Sequence, residues 1–216
     1  MSCILNPGLY AITDPKLLDE NSLFTKVELA LKGGCRVLQY RDKPASAKQR
    51  LDRARALKAL CNKYDAQLII NDDIELCLQS NADGVHLGKS DGDILHARKI
   101  LGPDRILGVT CHSDIIYAQA CIDLGVDYCA FGRIFPSKTK PEAPPCHLSV
   151  LKDAIVLNKP VVAIGGITLD NIETLMHTPI HNAAVIDGLF AQQDIQATAQ
   201  QFQSYFSTQL TSFNNL

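Results

Sequence analysis

The sequence predicts a single (β/α)8 barrel spanning residues 1–216, on three observations. Short β-rich runs alternate with helical patterns from one end of the chain to the other, making eight strand-then-helix units. The strands read as near-continuous apolar runs, as parallel strands covered by helices do. No linker divides the chain, because the Pro-rich stretch PSKTKPEAPP at 136–145 has strands and helices of the same kind on both sides and reads as a long loop. At 216 residues the barrel would be compact, since about 250 is typical. The alternative is an open doubly wound sheet. No G-x-G-x-x-G follows the first run, which argues against a dinucleotide site.

The first strand is expected at 8–13 (GLYAIT), with a helix near 21–33. The second is expected at 35–41 (CRVLQYR). After it, LDRARALKALCNKY places Leu51, Ala54, Leu57, Ala59, Leu60, Cys61 and Tyr64 near one helical face and its Arg and Lys residues on the other, the pattern of a helix lying on a sheet. QLIIN at 67–71 and GVHLG at 84–88 are the third and fourth strands, followed by helices near 74–80 and 92–101. ILGVTCH at 106–112 is the fifth, with a helix near 114–124. Asp91 and Asp114 are capping types at helix starts. Strands at 128–135, 160–166 and 182–190 and helices near 147–157, 169–176 and 192–206 complete the series.

Composition narrows the partners. The apolar content of 46% is enough for a core of this size, and 21 basic residues against 23 acidic ones, with no Lys/Arg-rich run, lack the footprint of a nucleic-acid binder. No stretch approaches the roughly 20 apolar residues of a membrane span, and MSCILNPGLY lacks the charged-then-apolar signature of a secretory signal. The expectation is a soluble cytoplasmic protein with small-molecule partners. The eight cysteines are spread along the chain without a C-x-x-C pair. They read as core hydrophobes in a reducing compartment.

In such a barrel, chemistry is carried at the C-terminal ends of the strands and on the loops that follow. Unusual polar residues fall there repeatedly: Gln39, Arg41 and Lys43 after strand two, Asn71-Asp72 ending strand three, Asp91 after strand four, Thr110 ending strand five, Lys140 in the loop after strand six, and Gly165-Gly166 after strand seven. Gln39, Arg41 and Lys43 alternate along an extended segment and so share a face. Arg41 suits bidentate phosphate binding, with Lys43 and Lys140 as point charges. Asp72 and Asp91 are carboxylates from neighbouring strand ends, the kind of pair that holds Mg2+ together with substrate phosphate and water. Gly165-Gly166, before Asp170 and Asn171, suits backbone N–H groups at a helix start meeting a second phosphate. Two phosphate-bearing substrates fit this set. His86 is expected to point inward as a hydrogen-bonded core histidine, and His112 to lie within reach of a ligand. Cys111 and His112, as neighbours on a strand, face opposite ways and do not make a nucleophile–base pair.

Taken in order, GLYAITD, LQYRDK, IINDDIEL, ADGVHLGKSDG, GVTCHS, DYCAFGRIFPSKTKPEAPP, VVAIGGITLDN and AVIDGLF resemble the thiamine-phosphate synthase (thiamine-phosphate pyrophosphorylase) family over nearly the whole chain. The resemblance implies a (β/α)8 transferase of thiamine biosynthesis that joins hydroxymethylpyrimidine diphosphate to hydroxyethylthiazole phosphate with Mg2+. Products are thiamine phosphate and pyrophosphate. By matched position it implies that Gln39, Tyr40, Arg41, Asp42, Lys43, Asn71, Thr110 and Lys140 hold the pyrimidine diphosphate. It assigns Asp72 and Asp91 to the metal, and Ser137, Lys138, Thr139, Gly166, Ile186 and Asp187 to the thiazole phosphate. The catalytic charges would be Arg41, Lys43 and Lys140, acting on a diphosphate that leaves before the thiazole attacks, with 136–145 expected to close as a lid.

Two positions depart from the family pattern. Thr110 stands where Ser is usual and keeps the hydroxyl. Asp187 stands where Ser is usual near the thiazole phosphate, and a carboxylate ~4 Å from a phosphate charge is repelled by about 4 kcal/mol at an effective dielectric near 20. Its side chain is therefore expected to turn away, leaving the backbone N–H to bind. The competing readings are a thiazole tautomerase-like isomerase of the same fold, whose relatives lack the full metal and diphosphate set, and a barrel that binds thiamine phosphates without turnover.

Overall fold

The computed structural model describes residues 4–89, 92–137, 142 and 144–213. Eight parallel strands close in sequence order into a barrel: β1 (Gly8–Ile12), β2 (Val37–Tyr40), β3 (Gln67–Asn71), β4 (Gly84–Leu87), β5 (Ile106–His112), β6 (Tyr128–Phe131), β7 (Val161–Ile164) and β8 (Asn182–Val185), which pairs back onto β1. The outer ring is α1 (Leu23–Lys32), α2 (Ala47–Lys63), α3 (Ile74–Ser80), α4 (Ile94–Leu101), α5 (Ile115–Asp123), α6 (Leu148–Asp153), α7 (Ile172–Leu175), α8 (Asp187–Phe190) and α9 (Ile195–Phe213). The expected (β/α)8 barrel is the fold observed.

The interior and the outer layer are separate apolar bodies. Tyr10, Val37, Ile69, Ile106, Tyr128 and Val162 fill the barrel, while the alternate residues of each strand pack under the helices. This is the period-two consequence of a strand covered on both sides. Gly108 makes the interior fit: a β-carbon there would overlap the Tyr128 ring. The expected core cysteines Cys35, Cys61, Cys77, Cys111, Cys121, Cys129 and Cys146 are buried free thiols, whereas Cys3 lies outside the described residues. No helix among the described residues is long and apolar enough to cross a membrane.

Most element boundaries shift by a residue or more from expectation, and α9 runs on to Phe213; three of the differences are instructive. Helix α2 begins at Ala47 because Ser46 and Gln49 form a reciprocal capping box ahead of the apolar stripe. Strand β6 stops at Phe131, and Ile134 and Phe135 then donate their N–H groups to the carbonyls of Ile164 and Gly165 at 3.0 and 2.9 Å. Strand β8 stops at Val185, after which Asp187–Phe190 turns into α8 instead of continuing extended to 190.

Charge is divided between the two poles. At the N-terminal ends of the strands Asp83 and Asp127 are consumed: each accepts a backbone N–H, from Leu68 and Leu107, and pairs with Lys58 and Arg98 respectively. Those groups are structural. The charges at the opposite end surround an open cavity.

Candidate active site

A cavity of about 460 Å³ occupies the C-terminal mouth of the barrel, lined by residues of all eight strands and by several of the loops that follow them. From β2 and the turn after it come Gln39, Arg41 and Lys43, all three lining the cavity. Arg41 is held by its backbone: Arg41 N–H donates to Thr13 Oγ1 at 2.8 Å, and Thr13 Oγ1 donates back to the Arg41 carbonyl at 3.1 Å. Thr13 is buried, so this clamp fixes where the guanidinium starts. The two intervening residues point the other way. Tyr40 is buried, and its hydroxyl donates to Asp42 Oδ2 at 3.1 Å, the oxygen that Arg53 of α2 also holds at 2.7 Å. Neither Tyr40 nor Asp42 lines the cavity, so the side chains of two residues expected to hold the pyrimidine diphosphate belong to the sheet–helix layer.

The adjacent carboxylates at the end of β3 divide their roles. Asp73 Oδ1 caps α3 by accepting from the Leu76 N–H at 2.9 Å, and its Oδ2 pairs with Arg50 at 3.0 Å. Asp72 takes a left-handed backbone, φ 62°, which turns its carboxylate toward the cavity. Asp72 Oδ2 accepts from Asn71 Nδ2 at 2.6 Å and meets Lys43 Nζ at 3.3 Å. Asp is one of the few non-glycine residues that adopts this conformation readily.

On the β4–β5 side, His86 and Thr110 line the cavity, and His86 is the hydrogen-bonded inward histidine expected from its position. A register shift between Thr110 and His112, with His112 at φ 54°, swings His112 over the mouth. Such a bulge re-aims a side chain. Cys111 faces the helices instead; its thiol is pushed up by hydrogen bonding with Cys129 and by burial. A Cys111–His112 nucleophile–base pair is thus absent.

Across the cavity lie Ser137, Gly166, Ile186 and Asp187. Gly166 has φ 63°, and a β-carbon there would overlap the Pro136 carbonyl. Only glycine lets the β6–α6 loop close onto the turn after β7. Ile12, Val162 and Ile164 give the cavity an apolar wall between these polar groups. Arg133, Thr168 and Gln192 also line the cavity and were not singled out from the sequence, nor were Tyr10 and Tyr128. The two tyrosines sit in strands whose apolar character hides a polar tip. Asp91, Lys138, Thr139 and Lys140 lie outside the described residues, as does half of the expected lid.

No group of three or more His, Cys, Asp or Glu among the described residues is arranged to hold a metal. Among the described residues the cavity is lined by two carboxylates on different sides, Asp72 beside Arg41 and Lys43, and Asp187 after β8. Mg2+ binds through one or two carboxylates and completes its octahedron with substrate phosphate oxygens and water. The sparse donor set therefore fits Mg2+ brought in with a phosphorylated ligand, and does not fit a protein-enclosed structural metal.

The family model described as thiamine monophosphate synthase matches residues 9–189. A thiamine-phosphate synthase of Alcanivorax borkumensis is 50% identical over 205 residues, covering 93% of this chain and 94% of the relative. One from Marinobacter nauticus is 47% identical, covering 94% and 92%. Among solved structures, the thiamine phosphate pyrophosphorylase of Pyrococcus furiosus superposes with a TM-score of 0.86 at 30% identity, covering 95% of this chain and 97% of that one. A 3-hexulose-6-phosphate synthase at 17% identity and a TM-score of 0.65 shares the fold alone.

Proposed function

The chain belongs to the thiamine monophosphate synthase family, and from that premise we propose which of its residues handle each half of the reaction. The enzyme is a transferase that joins hydroxymethylpyrimidine diphosphate to hydroxyethylthiazole phosphate, giving thiamine phosphate and pyrophosphate. The observation that carries the assignment is that Gln39, Arg41, Lys43, Asn71 and Asp72 line one side of a single cavity while Gly166, Ile186 and Asp187 line it too, from β7 and β8. A diphosphate belongs on the cationic side, and the second phosphate at the glycine turn.

In this reading Gln39, buried at the cavity floor, meets the pyrimidine, and Arg41, Lys43 and Thr110 hold the diphosphate. Lys140 joins them from the β6–α6 loop by family correspondence. Asn71 fixes the Asp72 carboxylate toward the diphosphate, and Asp72 with Asp91 would hold Mg2+. Bound there, the ion would neutralise charge accumulating on the leaving pyrophosphate. The C–O bond to the diphosphate breaks with its electron pair leaving on pyrophosphate, and the thiazole nitrogen then supplies the pair that forms the new C–N bond. No proton changes hands in the bond exchange, which agrees with a mouth that lacks an activated nucleophile. Arg41 and Lys43 act where charge grows, the electrostatic contribution that is usually largest in catalysis. Ile12, Val162 and Ile164 keep water from the cationic carbon.

Ser137, Gly166 and the Ile186-Asp187 turn, with Lys138 and Thr139 by family correspondence, hold the thiazole phosphate. Asp187 contributes its backbone N–H and keeps its carboxylate off the phosphate. Steady-state kinetics on Asp187→Ser test this: the KM for the thiazole phosphate should change less than about threefold, well under one kcal/mol, with the KM for the pyrimidine diphosphate unchanged. A hundredfold fall in the thiazole KM would mean that the carboxylate faces the phosphate. The tautomerase reading is disfavoured because Arg41, Lys43 and Asp72 share the cavity, groups an isomerase of one monophosphate does not need.

A further inference from the structure

Arg133 lines the cavity but stands apart from the charge cluster of Arg41 and Lys43. In a closed eight-strand barrel in sequence order β6 lies diametrically opposite β2, so Arg133 and that cluster enter the mouth from facing walls. Its backbone is pinned on both sides. Arg133 N–H donates to the Pro144 carbonyl at 3.2 Å, the Arg133 carbonyl accepts from the Cys146 N–H at 2.7 Å, and the next two residues bond to Ile164 and Gly165 at the end of β7. The Arg133 stem lies on Gly165: a β-carbon on that glycine would come within 2.7 Å of Arg133 Cα and 2.8 Å of Arg133 Cγ.

The half-buried Arg133 is thereby set beside the glycine turn after β7. Among the described residues that line the cavity from β6, β7, β8 and the segments after them, Arg133 is the only Lys or Arg and Asp187 the only carboxylate. A phosphate monoester is largely dianionic at neutral pH. Backbone N–H groups at a turn carry only partial charge, so on their own they leave most of that charge, and the repulsion of a nearby carboxylate, uncompensated. A guanidinium has five N–H donors in a planar fork, so bonds to the protein and a two-pronged grip on phosphate oxygens are compatible.

We propose that Arg133 is a side-chain cation of the thiazole-phosphate subsite and sets the preference for the phosphorylated thiazole over the free alcohol. The proposal rests on the placement of that phosphate at the turn after β7. The charge on this phosphate does not change as the C–N bond forms, whereas charge on the diphosphate grows. Arg133 therefore binds the ground state and the transition state equally and acts on KM, unlike Arg41, which acts where charge develops.

Steady-state kinetics on the full-length enzyme test it. Arg133→Met keeps a stem against Gly165 and removes the fork. The KM for the thiazole phosphate should rise about thirtyfold, with kcat and the KM for the pyrimidine diphosphate within about twofold of the wild type. Arg133→Lys, which keeps a cation without the fork, should raise that KM only about fivefold, and it carries the test if the methionine variant does not fold. Hydroxyethylthiazole, which lacks the phosphate, should inhibit the wild type and the variants equally. Equal weakening of that inhibitor and of the thiazole phosphate would reduce Arg133 to a packing role and overturn the proposal. A loss confined to kcat or to the pyrimidine diphosphate KM would place Arg133 at the other substrate and overturn it too. Ser137→Ala separates the proposal from the placement it rests on. A raised thiazole phosphate KM in Ser137→Ala but not in the Arg133 variants would overturn the proposal alone, whereas no rise in any of them would overturn the placement and the proposal with it.

Discussion

Asp72→Asn is expected to lower kcat about a thousandfold, equivalent to about 4 kcal/mol of transition-state stabilisation, while shifting the melting temperature little. The carboxylate contributes little to the fold. It is partly exposed, and its ion pair with Lys43, an exposed side chain, is the kind worth about 0–1 kcal/mol. Asn also tolerates the left-handed backbone at this position, φ 62°, so the substitution removes the charge without straining the turn. What is lost is the anionic ligand that draws Mg2+ to the diphosphate. Steady-state kinetics beside a thermal melt separate the two effects. A variant that turned over normally at ordinary Mg2+ would remove Asp72 from the ion site.

Arg41→Ala is expected to cost about a hundred- to a thousandfold in kcat/KM, most of it in kcat. A preorganised donor aimed at developing charge is worth roughly 3–4 kcal/mol by substitution, and a guanidinium with two parallel N–H bonds is among the strongest such donors. Here preorganisation is visible in the backbone: the reciprocal pair of hydrogen bonds between Thr13 and Arg41 ties the end of β2 to the residue after β1. Arg41→Lys should recover only part of the loss, because a point charge does not reproduce the fork. Thermal stability should again be nearly unchanged, since the side chain faces the cavity and not the core.

The barrel was legible because its information is periodic and repeated: eight apolar runs with helical stripes between them survive an error at any one boundary. The boundary errors fell where pattern is ambiguous. AVIDGLF reads as one apolar run, and such a run does not distinguish a strand from a strand followed by a helical turn. The capping box of Ser46 and Gln49 sits in a polar stretch ahead of the helical stripe and was overlooked for that reason. Among site residues, alternation along 39–43 separates Gln39, Arg41 and Lys43 from Tyr40 and Asp42, yet family correspondence by contiguous block swept all five together. Family correspondence singles out Asp72 over Asp73 but gives no reason for it; the reason is a left-handed turn at one and a helix cap at the other, which only the folded backbone shows. Tyr10 and Tyr128 were illegible for a different reason: they belong to the interior by area and to the site by one oxygen atom each, and the connection between strands one and six exists only after closure.

The central claim is that cationic and acidic side chains at one barrel mouth, with a divalent ion, make a diphosphate leave. The most direct test follows pyrophosphate release by the purified enzyme with both substrates while Mg2+ is titrated from full chelation upward. Release should be negligible in chelator, rise saturably with Mg2+, and be accompanied by an equal amount of thiamine phosphate. Release at an undiminished rate with the ion chelated would contradict it.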